Sequence, residues 1–233
     1  MELLGRYDGS YLYAAGKRWG FFPGASIGWR ISEEPFFKNL KGVVNDLKIR
    51  ASIGQTGSES GVSMFGYMDG YNWNQGSAVL DGELVTGLNQ RGLPIRNLSW
   101  VKNTSANIGI DIALFDNRLT ATFDAFKKSI SGIPAGRYDV KLPSEVGYSL
   151  PNENLNKDAY VGAEGIVTWS DKIGELNYTV SANATYSRYK MVSRYKPRYG
   201  NSWDQYRNSS EDRWGGVWWG YPVSYTHLTL PTI

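Results

Sequence analysis

The chain has 233 residues, 41% hydrophobic and 20% charged, with 27 Gly, 16 Tyr, 9 Trp, one His and no Cys. Without cysteine there is no disulfide framework, thiolate nucleophile or Cys-ligated metal site, and the sole histidine, His227, cannot supply a multi-histidine site or, so near the end, a Ser/His/Asp triad. The formal charge of +3 is scattered along the chain without the basic face of a nucleic-acid binder, so no nucleic-acid partner is expected.

No run approaches the roughly 18 apolar residues of a membrane-crossing helix, and Met1-Glu2-Leu3-Leu4-Gly5-Arg6 lacks the order of a signal peptide. A cytosolic protein and an internal piece of an exported one both satisfy these facts. The excess of Gly, Tyr and Trp with few long apolar runs points to β structure.

In chain order, residues 7–17 read as a ragged strand. Residues 21–31 alternate, with Ala25, Ile27, Trp29 and Ile31 against Ser26 and Arg30. Residues 36–44 allow a helical turn or two. Residues 46–54 set Leu47, Ile49, Ala51 and Ile53 against Lys48, Arg50 and Ser52, and residues 79–88 are again ragged. Residues 101–115 set Ala106, Ile108, Ile110, Ile112 and Leu114 against Asn103, Ser105, Asn107 and Asp111. Residues 119–126 repeat the pattern, residues 160–170 carry it weakly, and residues 176–187 carry it in every position. Period two over such lengths means strands, and no amphipathic helix competes.

Tight turns are expected at residues 115–118 and 170–175, rich in Asn, Asp and Gly. The links at 56–78, 131–159 and 191–220 are long. Short and long connections in alternation place all turns at one end of a sheet and all loops at the other, as in an outer-membrane barrel. Against this stands a soluble sandwich with its apolar face turned to a core. Strand length favours the barrel, since spanning strands need about 9–11 residues. So does aromatic placement, because Trp19, Phe21, Trp29, Trp100, Phe115, Tyr160, Trp169 and Tyr186 lie near strand ends, as an interfacial girdle requires.

The runs Arg18-Trp19-Gly20-Phe21-Phe22-Pro23-Gly24-Ala25-Ser26-Ile27-Gly28-Trp29-Arg30-Ile31-Ser32-Glu33-Glu34 and Asp46-Leu47-Lys48-Ile49-Arg50-Ala51-Ser52-Ile53-Gly54-Gln55-Thr56-Gly57 resemble the SusC/RagA family of TonB-linked outer-membrane transporters of the Bacteroidetes. Asn107-Ile108-Gly109-Ile110-Asp111, Leu114-Phe115-Asp116-Asn117-Arg118-Leu119 and Tyr160-Val161-Gly162-Ala163-Glu164-Gly165 extend the resemblance in family order. It implies an all-β, antiparallel transmembrane barrel fragment, about eight strands of a barrel of about 22. Residues 1–222 are then barrel wall, and residues 223–233 are read as a non-native tail. The family's plug domain and TonB box are not in the chain. The resemblance further implies nutrient import, of oligosaccharides or peptides, in the outer membrane. The implied partners are a SusD-like surface lipoprotein, the TonB complex acting through the missing N-terminal region, and outer-membrane lipid.

No enzyme, cofactor or metal site is expected. The carboxylate pairs Glu33/Glu34, Asp81/Glu83 and Glu211/Asp212 read as solvated turn and loop residues rather than a glycosidase pair, and residues 54–61 lack the ending of a P-loop. Ligand contact is assigned to the long loops, at Tyr67, Tyr71 and Trp73 and at Trp203 and Trp214, with Tyr206, Trp218 and Trp219 nearby. Aromatic faces beside Asn and Asp suit sugar rings, and aromatics that merely hold loops together are the competing explanation. Asp111 is expected to meet plug arginines. A soluble carbohydrate-binding β domain and a non-transporting surface barrel remain the alternatives.

Overall fold

The computed structural model describes residues 1–137 and 140–217. Ten strands follow in chain order: β1 (Glu2–Gly9), β2 (Trp19–Arg30), β3 (Val44–Ser58), β4 (Tyr71–Leu80), β5 (Glu83–Gln90), β6 (Val101–Leu114), β7 (Leu119–Ala135), β8 (Glu153–Ile173), β9 (Leu176–Ser193) and β10 (Arg213–Trp214). Eight form one antiparallel sheet in the order β1-β2-β3-β6-β7-β8-β9-β10, and β4 and β5 pair only with each other.

Because the register is continuous through the middle of the sheet, with shifts only near the strand ends, the period-two pattern of each strand becomes a two-faced sheet. Trp29, Ile49, Ile110, Phe123, Gly165 and Ala184 form one row across six strands of the apolar face. One residue along, Gly28, Arg50, Gly109, Asp124, Glu164 and Thr185 form a row of the opposite, polar face. The apolar face is bare: Ile108 is 58% exposed and Val180 63%. The buried apolar side chains among the described residues, Tyr13, Phe22, Phe37, Leu98, Val101 and Ala159, all lie at or beyond the ends of this apolar band. A soluble domain would bury such a face, at about 1.5–3 kcal/mol for each large side chain. Here the band is finished as if another apolar medium covers it.

The connections sort by end. At one end are Gly174–Glu175, the 115–118 turn and residues 31–43, which hold 3-10 turns Ile31–Glu33 and Pro35–Leu40. Phe115, Asp116 and Asn117 all take positive φ, and the Asn45 side chain accepts from the Asp116 and Asn117 amides to hold that turn. At the other end are the longer connections 10–18, 59–100, 136–152 and 194–212.

Several expectations change. The first strand is Glu2–Gly9, not residues 7–17, because Ser10 N–H donates to the Arg18 carbonyl and closes a loop. Residues 79–88 are not one strand, since Asp81 and Gly82, both at positive φ, fold them into the β4–β5 hairpin. A seven-residue helix α1 (Ser202–Asn208) occupies the last loop. Trp19, Phe21, Trp29, Trp169 and Tyr186 stand in apolar-face register, with Phe115 beside Trp169, but two expected girdle residues do not. Tyr160 lies in the polar-face row with Lys128 and Tyr189, and Trp100 packs on Tyr13 and Phe22.

Candidate functional site

Two regions of the molecule hold polar chemistry: the middle of the polar face and the loop end. On the polar face, Arg50 of β3 donates from Nε and Nη2 to the Asp111 carboxylate of β6 at 2.8 and 3.1 Å. Its Nη2 also reaches Asp124 Oδ2 of β7 at 3.0 Å, and Thr122 Oγ1 donates to Asp111 Oδ1 at 3.2 Å. Gly109 lies between them. A Cβ there would fall 2.3 Å from Asp124 Oδ1 and 2.8 Å from Arg50 Nη2, so only glycine lets the three charges meet. Asp124 is 10% exposed and its Oδ1 has no partner among the described residues. One cation against two carboxylates leaves this cluster one negative charge. Asp111 therefore has its partner within the sheet, in Arg50.

Nearer the loops the polar face gathers a second cluster. Tyr189 donates its hydroxyl to Asp158 Oδ2 at 2.6 Å and Arg194 Nη1 lies 2.6 Å from Asp158 Oδ1, with the Tyr160 ring 5.1 Å from that of Tyr189. A cavity of about 410 Å³ opens beside Ser58, Asn103, Ile130, Pro134 and Asn152.

At the loop end Tyr13 is buried, its ring 5.3 Å from Trp100, which in turn meets Phe22 at 5.6 Å. Burial, with the Glu59 charge nearby, pushes the Tyr13 phenol up to about 12. Arg18 donates from Nε to the Tyr13 carbonyl, and its guanidinium lies 5.9 Å from the Tyr67 ring centre. Tyr67 is thus half-buried against Arg18. The next segment is clasped by Ile95 N–H to the Gly66 carbonyl and by the Asp69–Arg96 ion pair at 2.8 Å, which carries the β4–β5 hairpin outward.

Tyr71 and Trp73, two residues apart on β4, share one face of that hairpin and are 68% and 74% exposed. Gln90 stands opposite Tyr71, and Tyr148 from the β7–β8 connection donates its hydroxyl to Gln90 Oε1. The hairpin face therefore gathers Tyr71, Trp73, Gln90 and Tyr148. Tyr148 was not among the sequence candidates, and nothing local marks it. Trp203 lies far along the chain on α1, stacked on Tyr206 with ring centres 5.6 Å apart. Asn201 caps that helix, accepting from Asp204 N–H at 2.8 Å. Trp214 is elsewhere again, paired with Lys190 in apolar-face register. Trp218, Trp219 and the tail at 223–233 lie outside the described residues.

One member of each acidic pair has a structural role. Glu34 accepts from Trp29 Nε1 at 2.9 Å, Asp81 forms the hairpin turn, and Asp212 pairs with Lys190 at 2.6 Å. No group of three or more potential metal ligands occurs among the described residues.

The comparisons with known proteins agree with this geometry. The family model described as TonB dependent receptor-like, beta-barrel matches residues 3–229. TonB-dependent receptor P39 of Formosa agariphila is 31% identical over 191 residues, 80% of this chain and 17% of that protein. TonB-dependent receptor SusC of Bacteroides thetaiotaomicron is 31% identical over 186 residues, 76% of this chain and 18% of that protein. A solved structure of the RagAB peptide importer in its "open-open" state superposes with TM-score 0.69 at 21% identity, covering 84% of this chain and 20% of that one. The chain spans less than a fifth of the length of these curated relatives. A two-faced antiparallel sheet with turns at one end and loops at the other is the wall of such a barrel, and the chain belongs to the TonB-dependent receptor β-barrel family.

Proposed function

We propose that the chain is a stretch of barrel wall in an outer-membrane importer that takes up oligosaccharides or peptides, is energised through TonB and is capped by a SusD-like surface lipoprotein. The observation that carries this reading is the bare apolar face backed by a charged, hydrogen-bonded opposite face. A wall between lipid and a wet or plugged lumen needs both, and an uncovered apolar face does not suit a soluble binding domain. The likeness to the RagAB peptide importer supports peptides as one of these substrate classes.

In this reading the polar face is the lumen side. The surplus negative charge at Arg50, Asp111 and Asp124 faces whatever fills the lumen, mainly through the part-exposed Arg50 and Asp111 side chains. The loop end is the outer surface, where the hairpin carrying Tyr71 and Trp73, with Tyr148 on its Gln90, offers flat rings and an amide to incoming ligand. Tyr67 and Trp203 stand at the same end. Residues 1–222 serve as wall and residues 223–233 are foreign to it.

The test is deletion of the gene that encodes this segment, followed by growth on defined oligosaccharides and peptides as sole nutrients. Loss of growth on one class, reproduced by deleting TonB, is the expected result. Recovery of the segment's protein as a soluble secreted monomer would refute the reading.

A further inference from the structure

The outward face does not end where its apolar band ends. On β9 the apolar positions run from Leu176 to Tyr186, and the next two outward residues are Arg188 and Lys190. The same change occurs on the neighbouring strands. Lys127 of β7 is joined through Val161 to Arg188, and Lys102 of β6 is joined through Ser131 to Lys157 of β8. Five cations thus share one face, within four adjacent strands and three side-chain rows. At about 3.4 Å per residue and about 4.8 Å per strand, the patch measures roughly 14 by 14 Å.

The patch is built and largely uncompensated. Arg188 and Lys190 hold their charges 4.8 and 5.4 Å from the Trp214 ring centre, a contact that positions cations beside a rigid indole. Lys190 pairs with Asp212 at 2.6 Å. Lys102, Lys127, Lys157 and Arg188 have no carboxylate partner among the described residues. The turn end differs, for there Arg118 is matched by Asp171 of the apolar-face register at 3.4 Å. On the outward face of the described strands, the uncompensated charge lies at the loop end.

We infer that this patch is a binding site for the phosphate-bearing headgroup of a membrane lipid in the leaflet on the loop side. The inference rests on the barrel reading above, which turns this face to the membrane. Ligand in the lumen cannot reach it, whereas lipid headgroups lie at this level, immediately above the apolar band. Several ammonium groups and one guanidinium spaced over about 14 Å match a headgroup carrying more than one phosphate better than a single small anion. Charge-assisted hydrogen bonds from such donors are the strong ones, and the lysine stems can lie on the apolar surface below while their heads reach upward.

The test uses the complete receptor that contains this chain, in nanodiscs of phosphatidylcholine doped with bis-phosphorylated lipid A, with bound lipid counted by native mass spectrometry. Each cation near a charged lipid surface strengthens binding roughly fivefold, so the triple variant K127A/K157A/R188A should bind lipid A on the order of a hundredfold more weakly. The variant K127R/K157R should bind as the parent does. Retention of the heat-sensitive folded band in cold SDS gels shows that the barrels are intact. Equal binding by parent and triple variant, or full displacement by equimolar inorganic phosphate or by an acidic peptide, would overturn the lipid assignment while leaving the importer reading standing. Failure of the parent to enter the membrane as a barrel would remove both.

Discussion

Placing arginine at position 180 tests which side of the sheet meets lipid. Leu176 and Tyr186 bound the apolar stretch of β9 ten residue steps apart. At about 3.4 Å per residue and a tilt of about 40°, that stretch rises about 26 Å, matching an apolar band of about 25 Å. Val180 is four steps up, roughly 10 Å above the lower limit and within about 3 Å of the midplane. V180R should therefore cost about 2–4 kcal/mol, while Y186R, at the upper limit, should cost about 0–1 kcal/mol. N183R lies about 5 Å above the midplane, still inside the band but on the opposite face, and should change stability by about 0.5 kcal/mol or less. Urea unfolding of the complete barrel in phosphatidylcholine vesicles, followed by tryptophan fluorescence, reads all three. If N183R costs as much as V180R, the faces are not lipid and lumen. If Y186R costs as much as V180R, the apolar face packs on protein.

Further expectations concern the two polar regions. Gly109→Ala should separate Asp124 from Arg50 and lower the folded fraction in cold SDS gels, whereas Gly54→Ala, on the same face with open space around it, should not; equal behaviour would mean that the ion cluster contributes nothing. The Tyr13 phenol, held up to about 12 by burial and by Glu59, is neutral at ordinary pH. Its folded value lies above the ordinary value of about 10, so the stability it contributes is complete below pH ~10 and is lost as pH rises through 12. Absorbance at 295 nm, compared with Tyr13→Phe, should show one phenol titrating late, and a Tyr13 titration near 10 would contradict its burial. Y71A/W73A should lower ligand uptake about tenfold or more with the barrel still folded, and an unchanged uptake would remove the hairpin face from ligand contact.

The legibility of this chain follows from where its physics is local. β9 was readable because side-chain direction alternates along a strand and its two faces meet different media. The alternation marks β8 only over residues 160–170, whereas the strand runs from Glu153 to Ile173, because beyond the band Glu153 and Lys157 join Asn154, Asn156 and Asp158 and the contrast between faces fades. The hairpin of β4 and β5 does not stand out in the sequence although Asp81-Gly82 carries a turn signal, because Val79, Leu80, Leu84 and Val85 on either side read as one strand. Residues 7–17 misled for a different reason. Tyr13 looks like a strand residue but tucks under Trp100, 87 positions away.

The candidate sites were legible only in part. Tyr71 and Trp73 fall together because they lie two apart on one strand, but Tyr148 joins them through a contact with Gln90 that spans 58 residues. Arg50, Asp111 and Asp124 are separated by 61 and 74 positions and meet only once the register is known. Asp111, which the family resemblance directs to plug arginines, meets Arg50 within the sheet. The five outward cations are scattered from Lys102 to Lys190 in sequence, and it is strand pairing that turns them into a patch.

The most direct test of the account is spin labelling along β9. The chain contains no cysteine, so single cysteines at positions 178 to 187 of the complete receptor in vesicles can each be labelled in an otherwise cysteine-free segment. Collision with oxygen, which concentrates in lipid, should peak at 178, 180, 182, 184 and 186. Collision with a water-soluble nickel chelate should be higher at 179, 181, 183, 185 and 187. Accessibility without a period of two, or with the phases exchanged, would contradict the claim that this sheet is a wall between lipid and lumen.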